Sequence, residues 1–260
     1  MRAVRRALGI LEVFGTTDAA YRAGEPECTL EEIAFGADLP KSTAHRLLET
    51  LLSCGFIERG KRPGTYRLGA QVGILGSVAL RTHCSSFDQT AVQEILERLR
   101  DELDETVGLS VRLRDRAVLV ARMPAARPLR FDAHVGWSWP LHCTSSGKVL
   151  LAYSRAALEN FAVSTPSLQS FTPATTRTLD ELHRHLDTVR ECGYAVDNEE
   201  FLDGLRCLAV PVRDQSSTVN YALAISGPAS RLHDDVLVGF VGPLKRAADE
   251  LRPYVAVQMI

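Results

Sequence analysis

An α+β fold is predicted for this chain of 260 residues, on three observations. Residues 29–69 run as helix, turn, helix, strand, basic turn, strand. From Thr106 onward the hydrophobic period shortens to that of paired strands. Helical repeats separate those strands and close the chain. Strand pairs interleaved with helices argue for an antiparallel sheet covered by helices.

The first helix is expected over residues 3–14, where Val4, Ala7, Leu8, Leu11 and Phe14 recur at helical spacing. Residues 16–28 are polar and contain Gly and Pro, so a loop is expected. Thr29 and Glu32 make a capping box, worth about 0.5–2 kcal/mol, with Ile33, Ala34 and Phe35 on the apolar side of the helix it starts. Gly36, Ala37 and Asp38 end that helix, because Gly and Asp tolerate turn geometry. Pro40 suits the first position of the next helix, where no amide donor is needed. Leu39, Leu47, Leu48, Leu51 and Leu52 form its buried stripe. Its opening turns carry Lys41, Ser42, Thr43, His45 and Arg46 on the other side, types that bond phosphates and base edges. Residues 56–59 and 65–68 read as short strands. Between them lies Gly60-Lys61-Arg62-Pro63-Gly64, a basic turn suited to a sugar-phosphate backbone.

That order is a winged helix-turn-helix. Capped helices followed by a hairpin also occur in proteins that never touch DNA, and charge decides between the two. Residues 39–69 hold six basic side chains against two acidic ones, whereas the whole chain has a formal net charge of −2. A basic module on a mildly acidic body is the footprint of a nucleic-acid binder. Double-stranded DNA is therefore the expected partner.

Downstream, residues 69–80 are small and apolar, and Gly69-x-x-x-Gly73 allows close helix approach or a tightly packed linker helix. Residues 87–103 read as a helix with Ala91, Ile95, Leu99 and Leu103 inward and Glu94/Arg98 on a solvated face. Strands are expected over 107–113, 118–123, 131–135, 205–212 and 221–226. Thr178 and Glu181 make a second capping box, whose helix runs through Leu182, Leu186 and Val189 to Gly193. Residues 236–251 close the chain as a helix.

Composition narrows the function classes. Hydrophobic content of 45% with 24% charged residues fits a folded chain rather than a disordered one. No apolar run reaches the roughly 18 residues of a membrane span, and no apolar signal core follows the basic start, so a cytoplasmic location is expected. The six cysteines form no C-x-x-C pair, which argues against a disulfide framework. His83-Cys84 and His142-Cys143 are adjacent pairs, and His183 and His185 fall on different helix faces, so no metal or other cofactor is expected.

Cys143 to Gly147 lead into an apolar stretch over 149–153, and two readings stand for this loop. Ser145, Ser146 and Gly147 leave backbone amides facing outward at a helix start, where the dipole favours a carboxylate. Alternatively Ser145 or Ser146 simply caps the helix. A nucleotide P-loop is excluded: it needs Gly at position 142, which is His142, and Ser or Thr after Lys148, where Val149 stands. A catalytic cysteine needs a base and a depressed pKa, and no motif locates either. No catalytic residue is assigned, and a thiol enzyme using Cys143 or Cys207, with an N-terminal dimerisation module, is the alternative reading.

These strings together resemble one family. Leu39-Pro40-Lys41-Ser42-Thr43-Ala44-His45-Arg46-Leu47-Leu48, Gly55-Phe56 and Tyr66-Arg67-Leu68-Gly69 resemble the DNA-binding domain of the IclR-type (isocitrate-lyase-regulator) transcription factors. Leu141-His142-Cys143-Thr144-Ser145-Ser146-Gly147-Lys148, Gly193-Tyr194-Ala195-Val196-Asp197-Asn198-Glu199-Glu200, residues 204–212 and Ile225-Ser226-Gly227-Pro228 resemble its effector domain, in order and over nearly the whole chain. Asp38 stands where the family more often has glycine; Asp tolerates left-handed geometry, so the turn survives.

The resemblance implies a winged helix-turn-helix over 1–69, a linker helix over 70–86 that pairs subunits as a homodimer or homotetramer, and a GAF-like effector domain over 87–260. It implies a transcription regulator, repressor before activator, with a small organic acid as effector. It places the effector among Ser145, Ser146, Gly147, Asp197, Cys207 and Ser226. Each has a bland alternative: Cys207 as a small buried hydrophobe, Asp197 as the organiser of its own loop. Trp137 and Trp139 either wall the pocket, which would favour an apolar or aromatic acid, or pack the core.

Overall fold

Residues 2–16, 27–83, 88–165 and 167–255 are described in a computed structural model of the chain. The chain divides into two units, Met1–Ser85 and Ser86–Ile260. Most of the expected loop over 16–28, together with Cys84 and Phe87, lies outside the described residues.

The first unit contains α1 (Arg2–Thr16), β1 (Cys28–Thr29), α2 (Leu30–Gly36), α3 (Lys41–Ser53), β2 (Ile57–Arg59), β3 (Thr65–Leu68) and α4 (Ala70–His83). Thr29 caps α2 as its sequence predicts: Glu32 N–H donates to Thr29 Oγ1, and Thr29 N–H donates back to Glu32 Oε2 at 2.8 Å. Asp38 takes a left-handed φ of 50° at the turn. The core gathers Ile10, Val13, Phe14, Ile33, Leu48, Ile57 and Tyr66 from all three helices of the bundle and from the hairpin. The strands order β1-β3-β2, all antiparallel.

Three expectations are corrected here. Phe35 is 90% exposed rather than on the buried side of α2. It adjoins Ala34, which is inward, and a seven-residue helix buries only a narrow stripe. Pro40 is the residue before α3 rather than its first, its carbonyl accepting the amides of Thr43 and Ala44. Cys28 and Thr29, placed by sequence in or next to a loop, form a short strand because they pair with Tyr66 and Thr65.

The second unit is a six-stranded antiparallel sheet between helices. Its elements are α5 (Gln89–Leu103), β4 (Thr106–Leu113), β5 (Arg116–Met123), β6 (Ser138–Pro140), α6 (Ser145–Ala152), α7 (Arg155–Ser164), α8 (Leu179–Cys192), β7 (Ala195–Asn198), β8 (Leu205–Arg213), β9 (Val219–Pro228) and α9 (Asp234–Leu251). The strand order is β6-β5-β4-β9-β8-β7. Period-two alternation gives the sheet two different faces. One presents Val107, Leu109, Leu208, Val210, Leu223 and Ile225, packed with Leu96, Leu99, Leu244 and Leu251 of α5 and α9. The other carries Ala195, Ala209 and Ala222 beside Leu150, Leu151, Leu182 and Leu186 of α6 and α8.

Further corrections concern this unit. Residues 131–135 form no strand; β6 lies later, at Ser138–Pro140, where Trp139 pairs with Ala117. Val92 and Leu96, not Ala91, complete the buried stripe of α5. Arg98 pairs with Glu250 of α9 rather than with Glu94, and Arg246 reaches Glu102 at 3.0 Å, so these charges tie two helices together. α6 begins at Ser145, four residues before the expected start, and α7 was not anticipated.

Candidate functional site

The two units carry separate candidate sites. In the first, Lys41, Ser42, His45 and Arg46 are exposed along α3 with Thr43 half-buried beside them, while Ala44 and Leu48 on the opposite side are sealed. Some of these cations already have partners. Lys41 is paired with Glu31 of α2, and His45 Nε2 lies 3.9 Å from Glu49. Arg59 donates to Tyr66 Oη at 2.8 Å and to Glu49 at 2.9 Å, bracing the hairpin against α3. Lys61 and Arg62 occupy the exposed turn between β2 and β3. Arg62 Nε reaches Glu27 Oε2 at 3.3 Å, so its guanidinium is partly held.

In the second unit a cavity, partly open to solvent, lies between the α6 layer and the small-residue face of the sheet. Strand register builds one of its walls. Asp197 stands opposite Cys207, Cys207 opposite Ser226, and Ser226 opposite Thr106, a row across four strands. The next row, Gly108, Ala224 and Ala209, has almost no side chain to fill the space above it. Thr144, Ser145 and Ser146 line the cavity from the start of α6, and Phe131, Trp139 and Phe201 supply aromatic walls.

Of the residues predicted to contact an effector, Ser145, Ser146, Asp197, Cys207 and Ser226 converge on this cavity, and Gly147 does not line it. A Cβ on Gly147 would fall 2.4 Å from the Leu141 Cα and carbonyl oxygen, so its glycine serves close packing. The cap of α6 is neither Ser145 nor Ser146. Thr144 Oγ1 accepts the Gly147 amide at 3.2 Å and donates to the Pro140 carbonyl at 2.7 Å. This frees the two serines to face the cavity in the first helical turn, whose amides have no partner within the helix. Of the two tryptophans, Trp139 walls the cavity; Trp137 packs edge-on to His134 instead.

The electrostatics are those of a buried polar cluster. Burial pushes the Asp197 carboxyl up to about 7; the Lys148 charge opposes this and Glu200 adds to it, while the amides of Glu200 and Phe201 donate to Asp197 Oδ1 at 2.8 and 3.4 Å. Lys148 Nζ donates to Glu200 Oε1 at 2.5 Å, both side chains buried, and Thr176 Oγ1 donates to Glu200 Oε2 at 3.3 Å. Burial, with Asp197 nearby, raises the Cys143 and Cys207 thiols well above their ordinary range. That is the opposite direction from the depressed pKa a thiol nucleophile needs, and it counts against the thiol-enzyme alternative. Among the described residues no group of three His, Cys, Asp or Glu side chains is arranged to hold a metal, and no helix is long and apolar enough to cross a membrane.

Sequence reasoning missed Thr106, Ser110, Arg122, Phe131 and Phe201 as cavity residues. Thr106 and Ser110 follow from strand pairing with β9, which a single sequence does not display. Arg122 is anchored by Asp132 at 2.8 Å and by the Ala133 carbonyl, contacts across an irregular loop that has no periodic signal.

A winged helix-turn-helix in one unit and a mainly apolar cavity with a few polar groups in a sheet domain define a DNA-binding transcription regulator. The chain belongs to the IclR family: residues 3–61 match the IclR helix-turn-helix domain, and residues 88–252 match the bacterial transcriptional regulator IclR C-terminal domain. It is 32% identical over 246 residues to a probable transcriptional regulator, SauR, of Cupriavidus necator, covering 95% of this chain and 94% of that one. It is 36% identical over 212 residues to the HTH-type transcriptional repressor AllR of Klebsiella pneumoniae, covering 81% and 76%. Among solved structures, an IclR homolog from Microbacterium hydrocarbonoxydans complexed with 4-hydroxybenzoate matches with a TM-score of 0.66 and 26% identity, covering 96% and 97%.

Proposed function

We propose that this chain is a repressor whose affinity for an operator is set by a small organic acid bound in the cavity of the second unit. The observation that carries the reading is the convergence of Asp197, Cys207, Ser226 and the first turn of α6 on one partly enclosed space. The α6 amides and Ser226 bond the carboxylate, aided by the positive end of the helix dipole. Asp197 accepts a hydroxyl of the ligand, and Phe131, Trp139 and Phe201 hold an apolar or aromatic body. The relative that binds 4-hydroxybenzoate supports this chemistry by similarity.

Lys41, Ser42, Thr43, His45 and Arg46 read the major groove, and Lys61 and Arg62 approach phosphates, which makes binding salt-dependent. Residues 1–69 act as the DNA reader, 70–86 as the linker that pairs copies into a homodimer or homotetramer, and 87–260 as the effector domain, in the cytoplasm. A coupling of about 1–3 kcal/mol shifts DNA affinity about 5–150-fold.

The test is a thermal-shift screen of small carboxylates on the wild type and on Asp197→Ala, with operator binding measured with and without each hit. A ligand that stabilises only the wild type and changes its DNA affinity is the expected result. Hits that stabilise both proteins equally, or leave DNA binding unchanged, would sink the reading.

A further inference from the structure

We propose that Glu27 is a positioning residue for DNA binding: its buried carboxylate holds the basic turn of residues 60–64 in the one conformation that meets the phosphate backbone. This rests on the proposal that the turn contacts DNA. Glu27 directly precedes β1, the strand paired with β3, and is 6% exposed. Its Oε1 accepts the Lys61 amide at 2.6 Å. Its Oε2 accepts the Arg62 amide at 3.2 Å, Arg62 Nε at 3.3 Å and Thr65 Oγ1 at 2.7 Å. The Glu27 backbone carbonyl accepts Arg62 Nη2 at 3.2 Å.

One carboxylate thus gathers two consecutive amides, a hydroxyl and a guanidinium from a turn whose residues 61–64 are all exposed. Such a turn has no apolar core to fix it, and an unfixed turn must be ordered at the moment of binding, at a cost in affinity. Charge-assisted bonds to a buried carboxylate do that ordering in advance. Gly60 makes room for it: a Cβ there would lie 2.7 Å from the Glu27 carboxyl and 2.2 Å from Thr65 Oγ1. The hydrogen bonds, that from Thr65 first and that from the Lys61 amide next, hold the Glu27 carboxyl down to about 2, so it is charged at any working pH.

Arg62 is turned back on Glu27 with two of its nitrogens, so its guanidinium belongs to the clamp as well as to the basic turn. The clamp holds the Lys61 amide and so fixes where the Lys61 side chain leaves the backbone toward DNA.

The experiment uses the full chain and random-sequence duplex DNA at several salt concentrations, comparing wild type, Glu27→Gln, Lys61→Ala and the double variant. Amide exchange at residues 61 and 62 is followed alongside. In Glu27→Gln both amides should exchange at least about tenfold faster, affinity should fall about tenfold, and the slope of log affinity against log salt should drop by about one contact. Lys61→Ala should then cost less in the Glu27→Gln background than in the wild type. Unchanged exchange at 61 and 62 would overturn the clamp itself. Faster exchange with independent, multiplying effects of the two substitutions would overturn its link to DNA. Wild type that binds no DNA would instead defeat the underlying reading of the turn, and the exchange data would still judge the clamp. If Glu27→Gln does not fold, Thr65→Val, which removes one bond from the same carboxylate, carries the same comparison.

Discussion

Asp197 and Ser226 stand on either side of Cys207 in a single cross-strand row, Asp197 through the β7–β8 pairing and Ser226 through the β8–β9 pairing. The row puts a carboxyl that is only 1% exposed beside the neutral side chains of Cys207, Ser226 and Thr106. Burial raises its pKa to about 7 from the ordinary aspartate value of 3.8. Between those values the native state keeps a proton that the unfolded chain has lost. The contribution of this carboxyl is therefore fully present below about pH 4 and is lost as pH rises to about 7. Lys148 and Glu200 are the charged groups that act on it, with opposite signs. Asp197→Asn removes the titration. The variant should gain stability relative to wild type as pH rises from 4 to 8, by up to about 4 kcal/mol. Urea denaturation at several pH values measures it, and parallel pH profiles for the two proteins would refute it.

The Lys148–Glu200 pair makes a different prediction. Both side chains are buried, and Thr176 extends the network to His185 Nδ1 at 3.1 Å. Removing one member leaves the other charge buried without its partner, so Lys148→Met or Glu200→Leu alone should cost about 3–5 kcal/mol. Replacing both, Lys148→Met with Glu200→Leu, should cost much less than the two single losses combined. A double-mutant cycle by chemical denaturation reads the difference, and additive losses would show that the pair is not a unit.

Gly147→Ala probes the seat of α6. The added methyl would meet backbone, the Leu141 Cα and carbonyl at 2.4 Å, which cannot rotate away as a side chain could. The helix must shift, and overpacking of this kind costs about 1–3 kcal/mol. Since Ser145 and Ser146 belong to the same turn, the shift should also weaken carboxylate binding. Denaturation and thermal-shift titration of one preparation give both numbers. A variant with wild-type stability would mean that α6 is loosely seated.

How much of this was legible in the sequence depends on the range of the interaction. Thr29/Glu32 and Thr178 announce helix starts because a cap is satisfied within three residues. The strand periods of residues 107–113 and 205–212 show because one face is uniformly apolar. Five of six predicted effector residues line one cavity: Ser145 and Ser146 show in the sequence as a serine-glycine loop ahead of a helix, whereas Asp197, Cys207 and Ser226 come through the family resemblance, since they meet only by pairing. Thr106 shares their row and was missed for that reason. Phe35 misled because apolar character was read as burial. Glu27 gave no signal, as its partners lie 34 to 38 residues away.

Arg46 and Lys41 lie on the same exposed side of α3 and should not respond alike to substitution. The Lys41 ammonium is already paired with Glu31, so a phosphate would replace one anion with another and the net gain is small. An arginine can bond a guanine edge with two donors, which is worth about 1–3 kcal/mol of discrimination. Arg46→Ala should therefore weaken operator binding about 5–150-fold while changing stability by no more than about 0.5 kcal/mol, because the side chain is exposed. Lys41→Ala should have the weaker effect. Glu31→Gln should strengthen binding, since it removes an anion from the face proposed to meet DNA and frees the Lys41 charge. Titrations of all three variants against the operator and against random competitor decide the matter. If Lys41→Ala proves as damaging as Arg46→Ala, or Glu31→Gln weakens binding, the Glu31 pairing does not restrain Lys41 in the complex.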